Sequence, residues 1–213
     1  NVSELQAMED DLDANYELVS DIDASQTAQF NDGRGFDPVG GTLPFTGSFE
    51  GNDHTITGLT INRPDESNVG LFGSSEGTVP NVTVTNVTLT GVTVTGDRNV
   101  GGLVGDNGGA IQTATASGNV TGRLSVGGLV GRNSDRTIRN ASASGSVTGE
   151  SEVGGLVGDN GPRGRIQSAT ASGSVSGEDD VGGLVGVNND GTIQTATASG
   201  TVTGAGRFST RVG

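Results

Sequence analysis

The chain copies itself. Val100–Gly105, Val126–Gly131, Val153–Gly158 and Val181–Gly186 all read Val-Gly-Gly-Leu-Val-Gly, and Val69-Gly70-Leu71-Phe72-Gly73 aligns as a fifth, variant copy. The copies start 31, 26, 27 and 28 residues apart. A second block alternates with them: Ile111–Gly122, Ile138–Gly149, Ile166–Gly177 and Ile193–Gly204, the first reading Ile-Gln-Thr-Ala-Thr-Ala-Ser-Gly-Asn-Val-Thr-Gly. A unit this short cannot bury a core alone, so several must stack.

No unit carries a helical apolar stripe at i, i+3, i+4. Each carries short alternating runs of β-branched and small residues, separated by Asp/Asn/Gly/Ser stretches such as Asp106-Asn107-Gly108-Gly109. Three strands are expected per unit: Ile-x-x-Ala-x-Ala, Val-Thr-Gly, and Val-Gly-Gly-Leu-Val-Gly with leucine inward. Three strands and three turns make one coil of roughly 27 residues, and coils stack in parallel at about 4.8 Å. The fold class is therefore all-β, a parallel β-helix (β-solenoid). Leu71, Leu103, Leu129, Leu156 and Leu184 are the expected core column. The repeated glycines are expected at tight corners or at positive φ. Residues 77–97, rich in Val and Thr, fit the scheme with a wider coil or an additional strand. Residues 1–76 read as an N-terminal cap with the first coils, and 77–213 as tandem repeats of the same continuous solenoid.

Charge narrows the setting. There are 25 Asp and Glu against 11 basic residues, all of them Arg, for a net charge of −14. Such a surface stays solvated but repels itself. Concentrated salt removes the repulsion, since the Debye length falls to about 3 Å at 1 M. A halophilic source is expected; an ordinary acidic secreted protein is the alternative. No basic patch with aromatic stacking residues marks a nucleic-acid partner, and no run reaches the roughly 18 apolar residues of a membrane span. Cysteine is absent. The chain opens on Asn1, as one relieved of a leader or cut from a longer protein would.

The Val-Gly-Gly-Leu-Val-Gly segments resemble the GLUG motif, found in tandem in microbial surface proteins. Leu5-Gln6-Ala7-Met8, Asn15-Tyr16-Glu17-Leu18 and Asp21-Ile22-Asp23 are similar to that family's opening module. So are Gly35–Gly40 and Phe45–Ile61. The resemblance covers essentially the whole chain and implies a stalk or adhesin region at a cell surface. Some zinc peptidases carry such repeats beside a catalytic domain with His-Glu-x-x-His. This chain has one histidine, His54, so that activity does not carry over.

Ser3–Asp13 reads as a short acidic helix. Ser3 and Gln6 form the expected capping box, and Leu5, Met8 and Leu12 form an apolar stripe laid over the first coil's strand edges. After Gly204 the repeat gives way to Ala205–Gly213. Either Phe208 and the arginines cap the last coil, or it stacks head-to-tail on another copy.

Chemistry is sparse. A phosphate loop needs Lys. His54 lies in a turn-like Gly51-Asn52-Asp53-His54 segment and reads as structural rather than part of a triad. Glycosidases pair two carboxyls about 5–9.5 Å apart. Asp179 with Asp180, Glu150 with Glu152, and Asp106 with Asp159 are the candidates, all in expected turns. No catalytic, cofactor or metal residue is assigned. Asp106-Asn107, Asp159-Asn160 and Asn188-Asn189-Asp190 offer hard oxygen ligands for Ca²⁺ without a known loop spacing. Sequons occur at Asn1, Asn81, Asn86, Asn119 and Asn140. The expected function is non-enzymatic: an extracellular or cell-surface structural or adhesion protein, self-associating or contacting glycans. A virus tail fibre and a carbohydrate-active β-helix are the rivals.

Overall fold

The computed structural model describes residues 1–76 and 83–205. It is a parallel β-solenoid with three sheets running its length. Every ladder in it is parallel, apart from one isolated antiparallel bridge between Gly35 and Ile61. The broad sheet has twelve strands, and two narrow sheets have four and five. In a typical coil one long strand (Thr137–Thr148) lies in the broad sheet. Ser151–Gly154 and Val157–Asn160 follow in the two narrow ones. The expected three strands per coil are thus divided differently. In Ala110–Thr121 and Thr137–Thr148 the Ile and Val-Thr-Gly segments merge into one long strand, whereas later they stay apart as expected, as Arg165–Ala171 with Ser174–Gly177 and Thr192–Ala198 with Val202–Gly204; Val-Gly-Gly-Leu-Val-Gly breaks at its Gly-Leu corner into two. Residues 1–76 join the same structure, since Ser48–Glu50, Thr55–Thr57 and Thr60–Asn62 all pair with Thr83–Thr95.

Register puts like on like. Tyr16, Phe49, Val84, Ile111, Ile138, Ile166 and Ile193 form one column. Ile22, Ile56, Leu89, Ala116, Ala143, Ala171 and Ala198 form another. The core therefore tapers. At the N-terminal end Phe45, Phe49 and Phe72 pack with ring centroids 5.0 and 5.4 Å apart; towards the C-terminus the register positions of Phe49 and Phe72 are filled by Ile and Val. Leu71, Leu103, Leu129 and Leu156 are fully buried, each contributing about 1.5–3 kcal/mol. Leu184, on the last described coil, is only partly buried.

The longer first spacing needs no extra strand among the described residues. Opposite Ala116–Gly118, the strand Thr83–Thr95 carries one additional residue, a bulge at Gly91 with φ +64°. The rest of the extra length falls near residues 77–82, outside the described residues.

The motif glycines answer to space rather than to φ. A Cβ on Gly127 would lie 2.0 Å from the Val130 carbonyl oxygen, and one on Gly128 would lie 2.4 Å from that of Gly155 and 3.0 Å from Ala143 Cβ. Left-handed φ falls instead on the residue immediately before the motif's Val-Gly: Asn68, Asn99, Ser125, Glu152 and Asp180, at 51–59°. Asn and Asp tolerate this region best.

At the N-terminus α1 (Val2–Gln6) starts earlier than expected. Asn1, not Ser3, is the cap: its Oδ1 accepts from the backbone N–H groups of Ser3 and Glu4, and Glu4 closes the capping box. A 3₁₀ turn, Ala7–Asp10, follows. Gln6 is thereby released to bond Asp37 in both directions, at 2.8 and 3.0 Å. Val2, Leu5 and Met8 are buried in one cluster with Leu18 and Ile22, so α1 covers the first coil. Nearby, the Arg63 side chain is only 6% exposed, pairing with Asp37 and Glu66 at 3.2 Å and donating to the Phe36 carbonyl.

Gly128→Ala is expected to cost about 1–3 kcal/mol, the usual range for overpacking. Denaturant unfolding in about 2 M NaCl measures it; an unchanged midpoint would mean that the corner has room the geometry denies.

Candidate functional surface

The outward side of the broad sheet is the most distinctive surface. In Ala110–Thr121 the buried residues are Ile111, Ala114, Ala116 and Val120. Strict alternation would bury Thr113 rather than Ala114. Thr113 escapes because it is left-handed, φ 53°, as are its register mates Asn86, Asn140, Ser168 and Thr195 at 51–54°. The kink turns Gln112 and Thr113 outward together and explains the Ile-x-x-Ala spacing. Outward residues repeat in columns. Arg139 donates to Gln167 Oε1 and Gln167 to Gln194 Oε1, both at 3.0 Å. Thr115 and Ser142 hydroxyls meet at 2.9 Å, Ser146 and Ser174 at 3.2 Å.

From Thr83 onward this face holds no acid; the acids of its earlier strands are Glu17, Asp23 and Glu50. None of the 25 Asp and Glu residues falls in Thr83–Thr95, Ala110–Thr121, Thr137–Thr148, Arg165–Ala171, Ser174–Gly177, Thr192–Ala198 or Val202–Gly204. Acids gather on the other two sides and at corners, where arginines meet them. Arg123 lies 2.7 Å from Asp97, and its hydrogen bond holds the Asp97 carboxyl below the usual range. Arg132 lies between Asp106 and Asp159, 3.7 and 3.6 Å away. Burial, with repulsion from Glu152 second, pushes the Asp159 carboxyl above its ordinary value, and its Oδ1 is buried without a hydrogen-bond partner.

One turn behind the face is pinned from inside. Ser75, Asn107, Asn133, Asn160 and Asn188 stand in register. Each asparagine amide donates to the next asparagine's Oδ1, at 2.8, 2.8 and 2.7 Å. The Nδ2 groups of Asn133, Asn160 and Asn188 also donate to carbonyls of their own turns, those of Arg136, Gly164 and Gly191. Between ladder asparagine and next column isoleucine the sequence has three, four and five residues in successive coils. That variation accounts for the 26-, 27- and 28-residue spacings.

The sequence pattern of the GLUG motif matches residues 122–148 and 178–203. Two stretches of the chain carry the GLUG motif. Each match runs from the end of one broad-sheet strand, through both narrow sheets and the ladder turn, to the end of the next. Ninety residues are 47% identical to Halomucin of Haloquadratum walsbyi, a halophile-linked relative; they make up 39% of this chain and 1% of that protein. Over 96% of its length the chain superposes on a candidate immunoglobulin A1 protease from Bacteroides ovatus, with TM-score 0.72, 22% identity and 66% of that chain covered. That likeness is one of fold. The chain thus spans 1% of one relative's length and 66% of the other's.

The stacked coils sort the residues singled out by sequence. The leucine column is core. Asn107, Asn160 and Asn188, read as loop oxygen donors, use their amides in the ladder. Among the described residues no three His, Cys, Asp or Glu side chains gather as a metal site would require. Asp106 and Asp159 are separated by Arg132; Glu152 accepts a hydrogen bond from Ser125; Asp179 and Asp180 are exposed. His54 Nδ1 lies 3.2 Å from Asp21 Oδ1, tying neighbouring coils. Of the sequons, Asn119 and Asn140 are exposed on the acid-free face. Asn86 is half-buried and donates to Glu50 at 2.8 Å. Asn1 caps α1, and Asn81 lies outside the described residues, as does Phe208. The ladder and the acid-free face escaped the sequence reading. Their signals were present: an Asn at the same place in four repeats, and an acid-poor second block in an acid-rich chain.

Asn133→Ala strands a buried donor on Asn107 and a buried acceptor on Asn160, each costing about 1–3 kcal/mol. Asn188→Ala, at the exposed end, is expected to cost clearly less, and equal losses in denaturant titrations would contradict the ladder. Asp159→Asn should raise the unfolding midpoint near pH 7. The raised folded-state pKa means that the burden is absent below the ordinary carboxylate range and grows as pH rises through the raised value. The gain should therefore vanish near pH 3 in a pH series of thermal melts.

Proposed function

We propose that this chain is a non-enzymatic module of a halophilic microbe's outer surface, a rigid spacer that adheres to hydrated polymers through its broad face. The acid-free face carries the reading. In a chain of net charge −14, random placement would put carboxylates on a surface this large. Its ranks of hydroxyl and amide groups, spaced at about 4.8 Å, suit a polymer of hydroxyl groups in repeated weak contact. Likeness to Halomucin supports a surface setting in concentrated salt, and no helix among the described residues is long and apolar enough to cross a membrane. Against catalysis stands the arrangement of the candidate carboxylates, each held by an arginine or a hydroxyl, or lying open at an edge without a cleft.

Head-to-tail assembly is a second reading, favoured by Ile193, 38% exposed on the last described coil. α1 seals the opposite end, so joining two copies requires its displacement. Removing α1 is then expected to convert monomers into polymers visible by negative-stain electron microscopy.

The adhesive reading is tested by retention on immobilised polysaccharides in about 2 M NaCl. Retention should fall about tenfold in a Thr115→Asp, Thr170→Asp variant, which places unpaired acids on the face, with its melting temperature kept. Failure to bind any polysaccharide would sink adhesion, and release of soluble oligosaccharide would sink the non-enzymatic reading.

A further inference from the structure

Nine arginines lie among the described residues. Arg34, Arg63, Arg98, Arg123, Arg132 and Arg163 each pair with a carboxylate. Arg136 donates its Nε to the Gly108 carbonyl at 2.8 Å. Arg139 and Arg165 pair with no carboxylate among the described residues, although acids outnumber arginines more than twofold in the chain.

These two stand together. Thr137 pairs with Arg165 and Arg139 with Gln167, so Arg139 and Arg165 are diagonal neighbours on adjacent coils, about 7–8 Å apart at the backbone. Ile138 and Ile166 point inward beside them, and both arginines are exposed. Gln112 and Gln167 flank Arg139 along its column, and Thr137 and Thr192 flank Arg165 along its own.

We propose that Arg139 and Arg165 read carboxylate groups on an acidic, uronate-bearing polysaccharide. The inference rests on the adhesive reading of the broad face and deepens it. In concentrated salt a point charge attracts little beyond about 3 Å. A planar guanidinium keeps its value there because it binds a carboxylate through two parallel N–H donors. Arginines already held by Asp or Glu, or, like Arg136, by a backbone carbonyl, cannot serve, which leaves this pair. The acid-free surroundings remove competing carboxylates, and the glutamine amides can both donate to and accept from sugar hydroxyls. A chain laid along the solenoid axis advances by a pyranose ring over a length comparable to one coil. Carboxylates on neighbouring rings would then meet guanidinium groups on neighbouring coils.

The test uses the full chain in about 2 M NaCl, with polygalacturonate and its fully methyl-esterified, neutral form as probes in affinity electrophoresis. The acid form should be retained about tenfold more strongly than the ester, the scale of one charge-assisted hydrogen-bonded contact. Arg139→Gln with Arg165→Gln should reduce that preference to within about twofold while leaving ester binding and the melting temperature unchanged. Replacing both by Lys keeps the charge without the fork and should not restore the preference; full restoration would overturn bidentate recognition. Equal binding of acid and ester by the natural chain, or an undiminished preference in the Gln variant, would overturn the inference and leave adhesion standing. Binding of neither probe would overturn the inference, and failure on every other immobilised polysaccharide as well would overturn adhesion with it.

Discussion

Everything here depends on backbone groups of one coil bonding those of the next in parallel and in register. Such pairing puts equivalent positions on top of one another, so each side-chain choice is made as a column. An apolar column becomes core, a hydroxyl column becomes a smooth face, and an amide column becomes a hydrogen-bonded ladder. A misfit in one coil is met by both neighbours, which is why the motif tolerates so little change at its glycines: a methyl group at Gly128 would collide with the carbonyl of Gly155.

This dependence made much of the fold legible. Repetition at a near-constant interval implies stacking, and stacking by β-branched and small residues implies parallel strands. The leucine column and the helix over the first coil followed from ordinary burial arguments. The cap of α1 was misassigned because two overlapping patterns, Asn1 with Glu4 and Ser3 with Gln6, both satisfy the spacing, and only the partner on another coil, Asp37, decides which residue is needed elsewhere. The division of strands was also hidden. Nothing local distinguishes a Gly-Gly-Leu strand from a Gly-Gly-Leu corner, because the distinction lies in which neighbouring carbonyls crowd the glycines.

The surface was less legible than the core. Asn107, Asn133, Asn160 and Asn188 occupy turns, and turn asparagines are ordinarily solvent-facing. Asn107, Asn133 and Asn160 become buried only when stacking coils lay one amide on another, while Asn188 on the last rung stays exposed. Likewise the Ile-x-x-Ala spacing could not assign an inward face, since it fits neither an α-helix nor a straight strand; it becomes intelligible once Thr113 and its mates are seen in left-handed conformation. The acid-free face is a property of the assembled sheet, visible in the sequence only as an uneven distribution of Asp and Glu.

The ladder also bears on how such an array can change over generations. Because a buried amide anchors each turn at its base, the residues beyond it can be gained or lost without moving the strands on either side. Unequal exchange between neighbouring copies of the coding sequence, which rarely preserves length, would therefore often yield a chain that still stacks. Selection would act on loop tips while the scaffold was inherited intact, and arrays of this kind could lengthen by duplication and diversify at one edge with little penalty.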